Sequence, residues 1–419
     1  MIETTTHTFL DNGIEMACAT LPHRRAVAVE ISVLTGTADE PEDRLGLARV
    51  VEETLDKGTA QRDARAVSDA FDEIGAAQHS RTERESLRFT SLTLPEYVER
   101  SVELHAEFLR TPTFPQEFVD VAVELGRQEL AALDDDPQAL ADKFIGRQTF
   151  GPVLGRHPIG ERETLDRITR DDVVAFWQAM FHAGRMQVTA AGPIEASAIR
   201  DMLERHFDGF GPAERRGREV RPVEFSPART HHPKEAEQVQ IAIGLRGVPK
   251  DHPQDPVQRV VLGILSSGMS SRLFTEVREK QGLVYWISAW PDYPRGCGMV
   301  FVGASSRLEH CERTYATILR ELDRLARDVT QEELDRVITQ YEVDFVIRGD
   351  RTRARCAELT NDLFYYGYPV PAEEKLARVK AVTLEDIRRY LAERPWGPLS
   401  VVTLGPREIN FEVLRADFG

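Results

Sequence analysis

Residues 46–59 read GLARVVEETLDKGT and set Arg49, Glu52, Glu53 and Asp56 at positions i, i+3, i+4 and i+7. On a helix within 42–58 these four share one face, and Leu45, Leu47, Val50, Val51 and Leu55 supply the apolar remainder. Carboxylates grouped in this way offer oxygens of the kind that Mg²⁺ or Ca²⁺ takes. Arg49 opposes that use, because a guanidinium keeps its proton, has no lone pair to donate and repels a cation. Taken alone, the segment reads as a solvated helix face. No H-x-x-E-H or H-E-x-x-H pattern occurs elsewhere in the chain. His79 and His105 stand alone and His231-His232 fall in a polar stretch, so each reads as an ordinary surface or core histidine. Cys18, Cys297, Cys311 and Cys356 are scattered without a C-x-x-C pair. Reduced thiols are expected, with neither a zinc ribbon nor a disulfide scaffold.

These residues sit in a chain that repeats itself. Gln116-Glu117 recurs as Gln331-Glu332 (331 − 116 = 215), and Thr169 as Thr383 (383 − 169 = 214). Gly192-Pro193 recurs as Gly405-Pro406 (405 − 192 = 213), and Arg49-Val50-Val51 as Arg259-Val260-Val261 (259 − 49 = 210). Four ordered matches at so long a period indicate duplicated domains; solenoid repeats run roughly 20–50 residues. In each half an alternating strand comes first, 26–36 and 238–247, then a helix, then further strands such as 86–94. Long amphipathic helices follow, over 117–133 and 331–346, then 169–180 and 383–391 with Thr at the N-cap and acid in the first turn. The fold class expected is α+β: two homologous α/β-roll domains, each a largely antiparallel sheet covered on one face by helices. The Pro-, Arg- and Glu-rich stretch between them reads as a linker. The expected domains are therefore 1–215 and 238–419, joined by 216–237.

Bulk properties bound the function classes. The chain has 419 residues, 41% of them hydrophobic, and a formal charge of −16. That acidity argues against nucleic acid and anionic membrane surfaces and is compatible with basic peptides. No apolar run reaches the roughly 18–20 residues that cross a bilayer. The start, MIETTTHTFLDNG, has neither the basic nor the apolar region of a signal peptide, so a cytoplasmic location is expected.

With those elements in place, GLARVVEETLDKGT resembles the GLAHFLEHMLFKGT-type segment of the pitrilysin/insulinase zinc peptidases, the inverzincins, whose helix carries H-x-x-E-H. In that family the two histidines bind Zn²⁺ and the Glu between them polarises the attacking water. Gly46-Leu47-Ala48 and Lys57-Gly58-Thr59 match the flanks, and Glu52 matches the general base. The two histidines are here Arg49 and Glu53. The family's third ligand is a Glu about 76 residues further on, which points to Glu129, with Gln128 beside it. Arg49 is expected to replace the metal as local cation and to bridge Glu53 and Glu129, and no zinc or other cofactor is expected in this chain.

Residues 266–285, SSGMSSRLFTEVREKQGLVY, strongly resemble a second-domain segment of the same family. There an Arg and a Tyr seven residues later reach the substrate; here they are Arg278 and Tyr285. A planar guanidinium suits a peptide carbonyl or carboxylate, and a phenol suits the scissile carbonyl and the oxyanion that follows. Residues 75–86 resemble the family's substrate-pairing edge strand, keeping Gly75 and Thr82 but placing His79 and Ser80 where Asn and Ala stand.

The resemblance spans the whole chain, and its length fits the short branch related to mitochondrial processing peptidase. It implies a non-catalytic subunit of a two-chain zinc metallopeptidase, inactive alone. The implied partner is a homologous chain with intact H-x-x-E-H that brings the zinc, or a second copy when alone, and the implied ligand is a peptide. The alternative is a scaffold with no role in proteolysis, like the core subunits of respiratory complexes.

Overall fold

The computed structural model describes residues 4–211, 220–221, 223, 225, 227–393 and 398–411. In chain order the first helices are α1 (Leu47–Thr54), α2 (Ala64–Glu73), α3 (Val98–Arg110), α4 (Gln116–Asp134), α5 (Pro137–Leu154), α6 (Arg162–Leu165), α7 (Arg170–Met180) and α8 (Ala196–His206). The later ones are α9 (Asp255–Ser266), α10 (Cys311–Asp328), α11 (Gln331–Gly349), α12 (Thr352–Tyr365), α13 (Ala372–Lys380) and α14 (Leu384–Ala392). Among the described residues no helix is long and apolar enough to cross a membrane.

The chain divides into two compact units: 1–131 with 156–219 and 346–370, and 132–155 with 220–345 and 371–419. The first holds a sheet of β1 (Thr4–Phe9), β2 (Glu15–Thr20), β3 (Val27–Val33), β4 (Ala77–Thr82), β5 (Leu87–Thr93) and β6 (Met186–Gly192), in the order β1-β2-β6-β3-β5-β4. The second holds β7 (Arg229–Pro233), β8 (Gln238–Arg246), β9 (Val284–Asp292), β10 (Met299–Arg307) and β11 (Ser400–Gly405), in the order β7-β11-β8-β10-β9. Without β1, the two orders correspond strand for strand. Each has one parallel pair, β2 with β6 and β7 with β11, and is otherwise antiparallel. The duplication in the sequence is thus a duplication of topology.

The alternation of each strand explains how the sheets are covered. Val27, Val29, Ile31 and Val33 of β3 are buried on one face, and Val239, Ile241, Ile243 and Leu245 of β8 line the equivalent core of the second unit. On the opposite face of the first sheet lies α12, whose Cys356 and Leu359 pack on Ala19, Ala28 and Ala191. That layer is also polar at its centre: Arg88 reaches Glu30 (3.3 Å) and Asn361 (3.0 Å), and Thr189 reaches Thr360 (2.6 Å). In the second unit α5 takes the matching place, with Phe150 edge-on to Phe301 and Gln148 bonded to Ser400 (2.6 Å). The repeat equates these two helices (352 − 137 = 215). Each half therefore lends one helix to the sheet of the other.

The expected linker 216–237 contains β7, because Arg229–Pro233 finds a parallel partner in β11. Its residues 216–219, 222, 224 and 226 lie outside the described residues. Both Thr caps are present: Thr169 and Thr383 each accept a bond at the third helical residue, Asp172 and Asp386, whose carboxylates bond back.

Candidate functional site

Two glycines with positive φ bound α1 and shorten it relative to the 42–58 expected: Gly46 (φ 98°) at its N-cap and Gly58 (φ 152°) beyond its end. A Cβ at Gly46 would also fall 2.8 Å from the Ile159 carbonyl oxygen. Asp56 consequently lies past the helix. The first turn is capped from outside by Glu40, whose Oε1 accepts from the backbone N–H of Gly46 (3.1 Å) and Ala48 (2.9 Å). Burial pushes the Glu40 carboxyl up to about 8, although both N–H groups and Arg156 oppose the shift.

Leu47, Ala48, Val50, Val51 and Leu55 anchor α1 in the core. The charged side is also covered, in contrast to a solvated face: Arg49 and Glu52 are each only 9% exposed. Arg49 Nη2 donates to Glu53 Oε1 at 3.3 Å and to Glu129 Oε1, on α4, at 2.6 Å. The bridge expected from the sequence is present, and Glu129 is the member that makes it. Gln128 instead turns to Glu124 at 3.4 Å. The cation is held on both sides and has no lone pair to offer, so this donor set does not suit zinc. Among the described residues there is no group of three His, Cys, Asp or Glu side chains placed to hold a metal.

Glu52 turns away from the bridge toward β4. Its Oε2 accepts from Thr82 Oγ1 at 3.2 Å, and Ser80 bonds it as well. Burial raises its carboxyl above the ordinary range, with Glu53 adding to the effect, while Ser80, Thr82 and Arg49 act against it. Strand β4 is the last strand of its sheet, so one of its edges has no strand partner among the described residues. Beside Glu52 opens a cavity of about 220 Å³, lined in part by Leu55, Phe89 and Phe108, by Asp56 and His105, and by Gln78, His79 and Ser80 of β4. Neither this cavity nor the Glu40 cap is legible from residue spacing, because their members are joined by the fold.

Arg278 and Tyr285 belong to the second unit. Arg278 lies in a π-helical turn over Phe274–Glu279, one residue before its end, and Tyr285 lies in β9. The guanidinium carbon stands 4.8 Å from the Phe274 ring centroid and 5.2 Å from that of Tyr285. Among the described residues Arg278 has no carboxylate partner, and Tyr285 is 77% exposed. The seven-residue spacing thus brings the two side chains into contact, Arg278 half-buried and Tyr285 exposed.

This fold and this altered helix define an M16-type peptidase chain. The chain belongs to peptidase family M16: residues 15–159 match the model described as Insulinase (Peptidase family M16), and residues 167–341 match Peptidase M16 inactive domain. Within that family its zinc motif is degenerate, reading Arg49-Val50-Val51-Glu52-Glu53. It is 28% identical over 425 residues to an uncharacterized zinc protease of Mycobacterium tuberculosis, covering 98% of this chain and 96% of the relative. A second uncharacterized zinc protease, from Streptomyces coelicolor, is 26% identical over 420 residues, covering 97% and 90%. A solved structure described as peptidase M16 inactive domain from Pseudomonas fluorescens matches with a TM-score of 0.89 at 18% identity, covering 97% of this chain and 99% of that one. A protease from Helicobacter pylori matches with a TM-score of 0.87 at 16% identity, covering 97% and 100%.

Proposed function

We propose that this chain is the non-catalytic subunit of a two-chain zinc metallopeptidase and positions the peptide through Arg278 and Tyr285. The observation that carries the reading is the double ion pair of Arg49, at 2.6 and 3.3 Å, which replaces imidazole donors with a bound cation. On this reading the chain holds no metal of its own, and zinc, water and general base reside in a homologous partner with intact H-x-x-E-H. Arg278 supplies a fork for a peptide carbonyl or carboxylate, and Tyr285 supplies a phenolic donor. Their mutual stacking limits the rotamers each must lose on binding, which favours positioning.

The test is to purify the chain with such a partner and assay peptide cleavage. Activity appearing only in the mixture, and falling with Arg278→Ala or Tyr285→Phe, is expected. Full activity of the partner alone, unchanged by this chain, overturns the reading. Association without any effect on cleavage assigns the chain to the scaffold class instead.

A further inference from the structure

The repeat sets Arg259 of α9 where α1 carries Arg49, but the charge balance there is reversed. In α1 one guanidinium serves two carboxylates, whereas in the second unit several cations gather around one. That one is Asp255, the first residue of α9, 2% exposed and favoured by the positive end of the helix. Arg259 Nε and Nη2 approach its Oδ2 at 2.8 and 2.7 Å, and the Tyr293 hydroxyl donates to its Oδ1 at 2.8 Å. Asp255 is thereby matched in charge and bonded at both oxygens.

Lys250 adds a second cation to this already matched carboxylate. It lies in the loop between β8 and α9, and its Nζ stands 3.6 Å from Asp255 Oδ2, outside hydrogen-bonding distance. The Tyr293 ring centroid is 4.8 Å from the amine, a contact that favours the ammonium form. Against that, the Lys250 side chain is only 21% exposed, and Arg259 and Lys375 of α13 add like charge. Burial lowers the amine to about 8, with Arg259 and then Lys375 adding to the fall and Asp255 opposing it. The groups that face it are therefore Asp255 and Arg259 of α9, Tyr293 just beyond β9, and Lys375. The other lysines are Lys57, Lys143, Lys234, Lys280, Lys375 and Lys380. Of these, Lys57, Lys280 and Lys380 pair with Asp56, Glu276 and Glu342 in more exposed settings.

A lysine that sheds its proton near neutrality, by desolvation and beside other cations, is a nucleophile. The same cations attract an anionic reagent. We propose that Lys250 is a site of N-acylation by acyl phosphates, with Arg259 and Lys375 drawing in the phosphate. The Nζ lone pair attacks the acyl carbon, and the bond from that carbon to the phosphate oxygen breaks. Phosphate leaves with the electron pair and takes up the proton lost from nitrogen, so the products are a neutral amide and inorganic phosphate. Asp255 keeps its bonds to Arg259 and Tyr293, so one positive charge is removed without stranding the buried carboxylate.

The test incubates the full folded chain with acetyl phosphate at pH 7.5 and follows acetylation of every lysine by mass spectrometry of its peptides. At that pH a lysine near the ordinary 10.4 is about 0.1% neutral, against about a quarter for one near 8. Weaker basicity and partial burial cancel much of that gain, so an initial rate about tenfold above that of the other six lysines is expected. The lead should shrink toward pH 10, where Lys250 is already neutral and the others are still gaining. Lys375→Gln, a change at a partly exposed position, removes a neighbouring like charge and should slow Lys250 severalfold at pH 7.5. The neutral reagent N-acetoxysuccinimide should show a smaller lead, and an equal one overturns the attraction assigned to Arg259 and Lys375. Acetylation of Lys250 no faster than that of the other lysines overturns the proposal. So does a lead that persists in urea, since it then belongs to the local sequence and not to the folded cluster.

Discussion

Two arginines, Arg49 of the altered helix and Arg278 of the second unit, have opposite environments. Arg49 is buried and doubly paired, with carboxylates at 2.6 and 3.3 Å. Arg278 has no carboxylate among the described residues and rests on Phe274 and on a Tyr285 that is largely exposed. The same side chain is a structural counter-charge in one unit and an available donor in the other. The difference lies in desolvation. A buried guanidinium without partners is costly, so Arg49 has to be matched where it stands. A half-buried one stacked on aromatic rings keeps part of its hydration and loses little by waiting for a ligand.

The sharpest way to break this contrast is to restore the ligands. Arg49→His with Glu53→His recreates the donor types beside Glu129. About one zinc per chain is expected by metal analysis after dialysis, against none for the wild type. Stoichiometric zinc in the wild type would refute the account of Arg49. Next in size, Arg278→Ala should lower cleavage by the two-chain mixture about 10²-fold, and Tyr285→Phe should lower it less, as for the loss of transition-state donors. Equal activity of these variants would return Arg278 to the status of an incidental surface group.

A smaller effect tests the buried side. Arg49→Met leaves Glu53 and Glu129 facing each other without a cation, and a loss of about 1–2 kcal/mol is expected in urea unfolding. The figure is kept low because Glu129 is about half exposed. Unchanged stability would mean that the bridge is incidental.

The Glu40 cap gives a pH-dependent form of the same test. Its carboxyl is raised in the folded state to about 8, above its ordinary value of 4.5. Its contribution to stability is thus fully present below the ordinary range and is lost as pH rises toward about 8. Glu40→Gln should flatten that part of the profile measured by urea midpoints between pH 5 and pH 9. Smallest and most symmetrical are the two caps. Thr169→Ala and Thr383→Ala should each cost about 1 kcal/mol. A large difference between them would show that the repeated halves have diverged in how firmly these two equivalent helices, α7 and α14, are held.

Much of this was legible in the chain itself. The repeat, the alternating strands and the Thr-x-x-Asp starts are local patterns, and the strands and helices that they forecast are present at those positions. The exchange of imidazole for guanidinium at Arg49 needs only the residue type, because no environment gives arginine a lone pair to donate at neutral pH. The i, i+4 contact to Glu53 follows from helical spacing. Other features were fixed only when the chain packed. A 3.6-residue period says that α5 and α12 each have an apolar stripe, but not that each covers the sheet of the other half. Nor does it say that the Arg49 face is buried, that Glu129 is 80 residues away in sequence yet 2.6 Å away in space, or that Glu40 caps α1. His105 looked solitary in the sequence, and its proton is located only because the Ser101 carbonyl lies against one nitrogen while burial keeps the other bare. Residue type and period are properties of neighbours along the chain. Desolvation and long-range pairing depend on what the fold brings close, and they decide which of two similar arginines is already bound and which is free to bind.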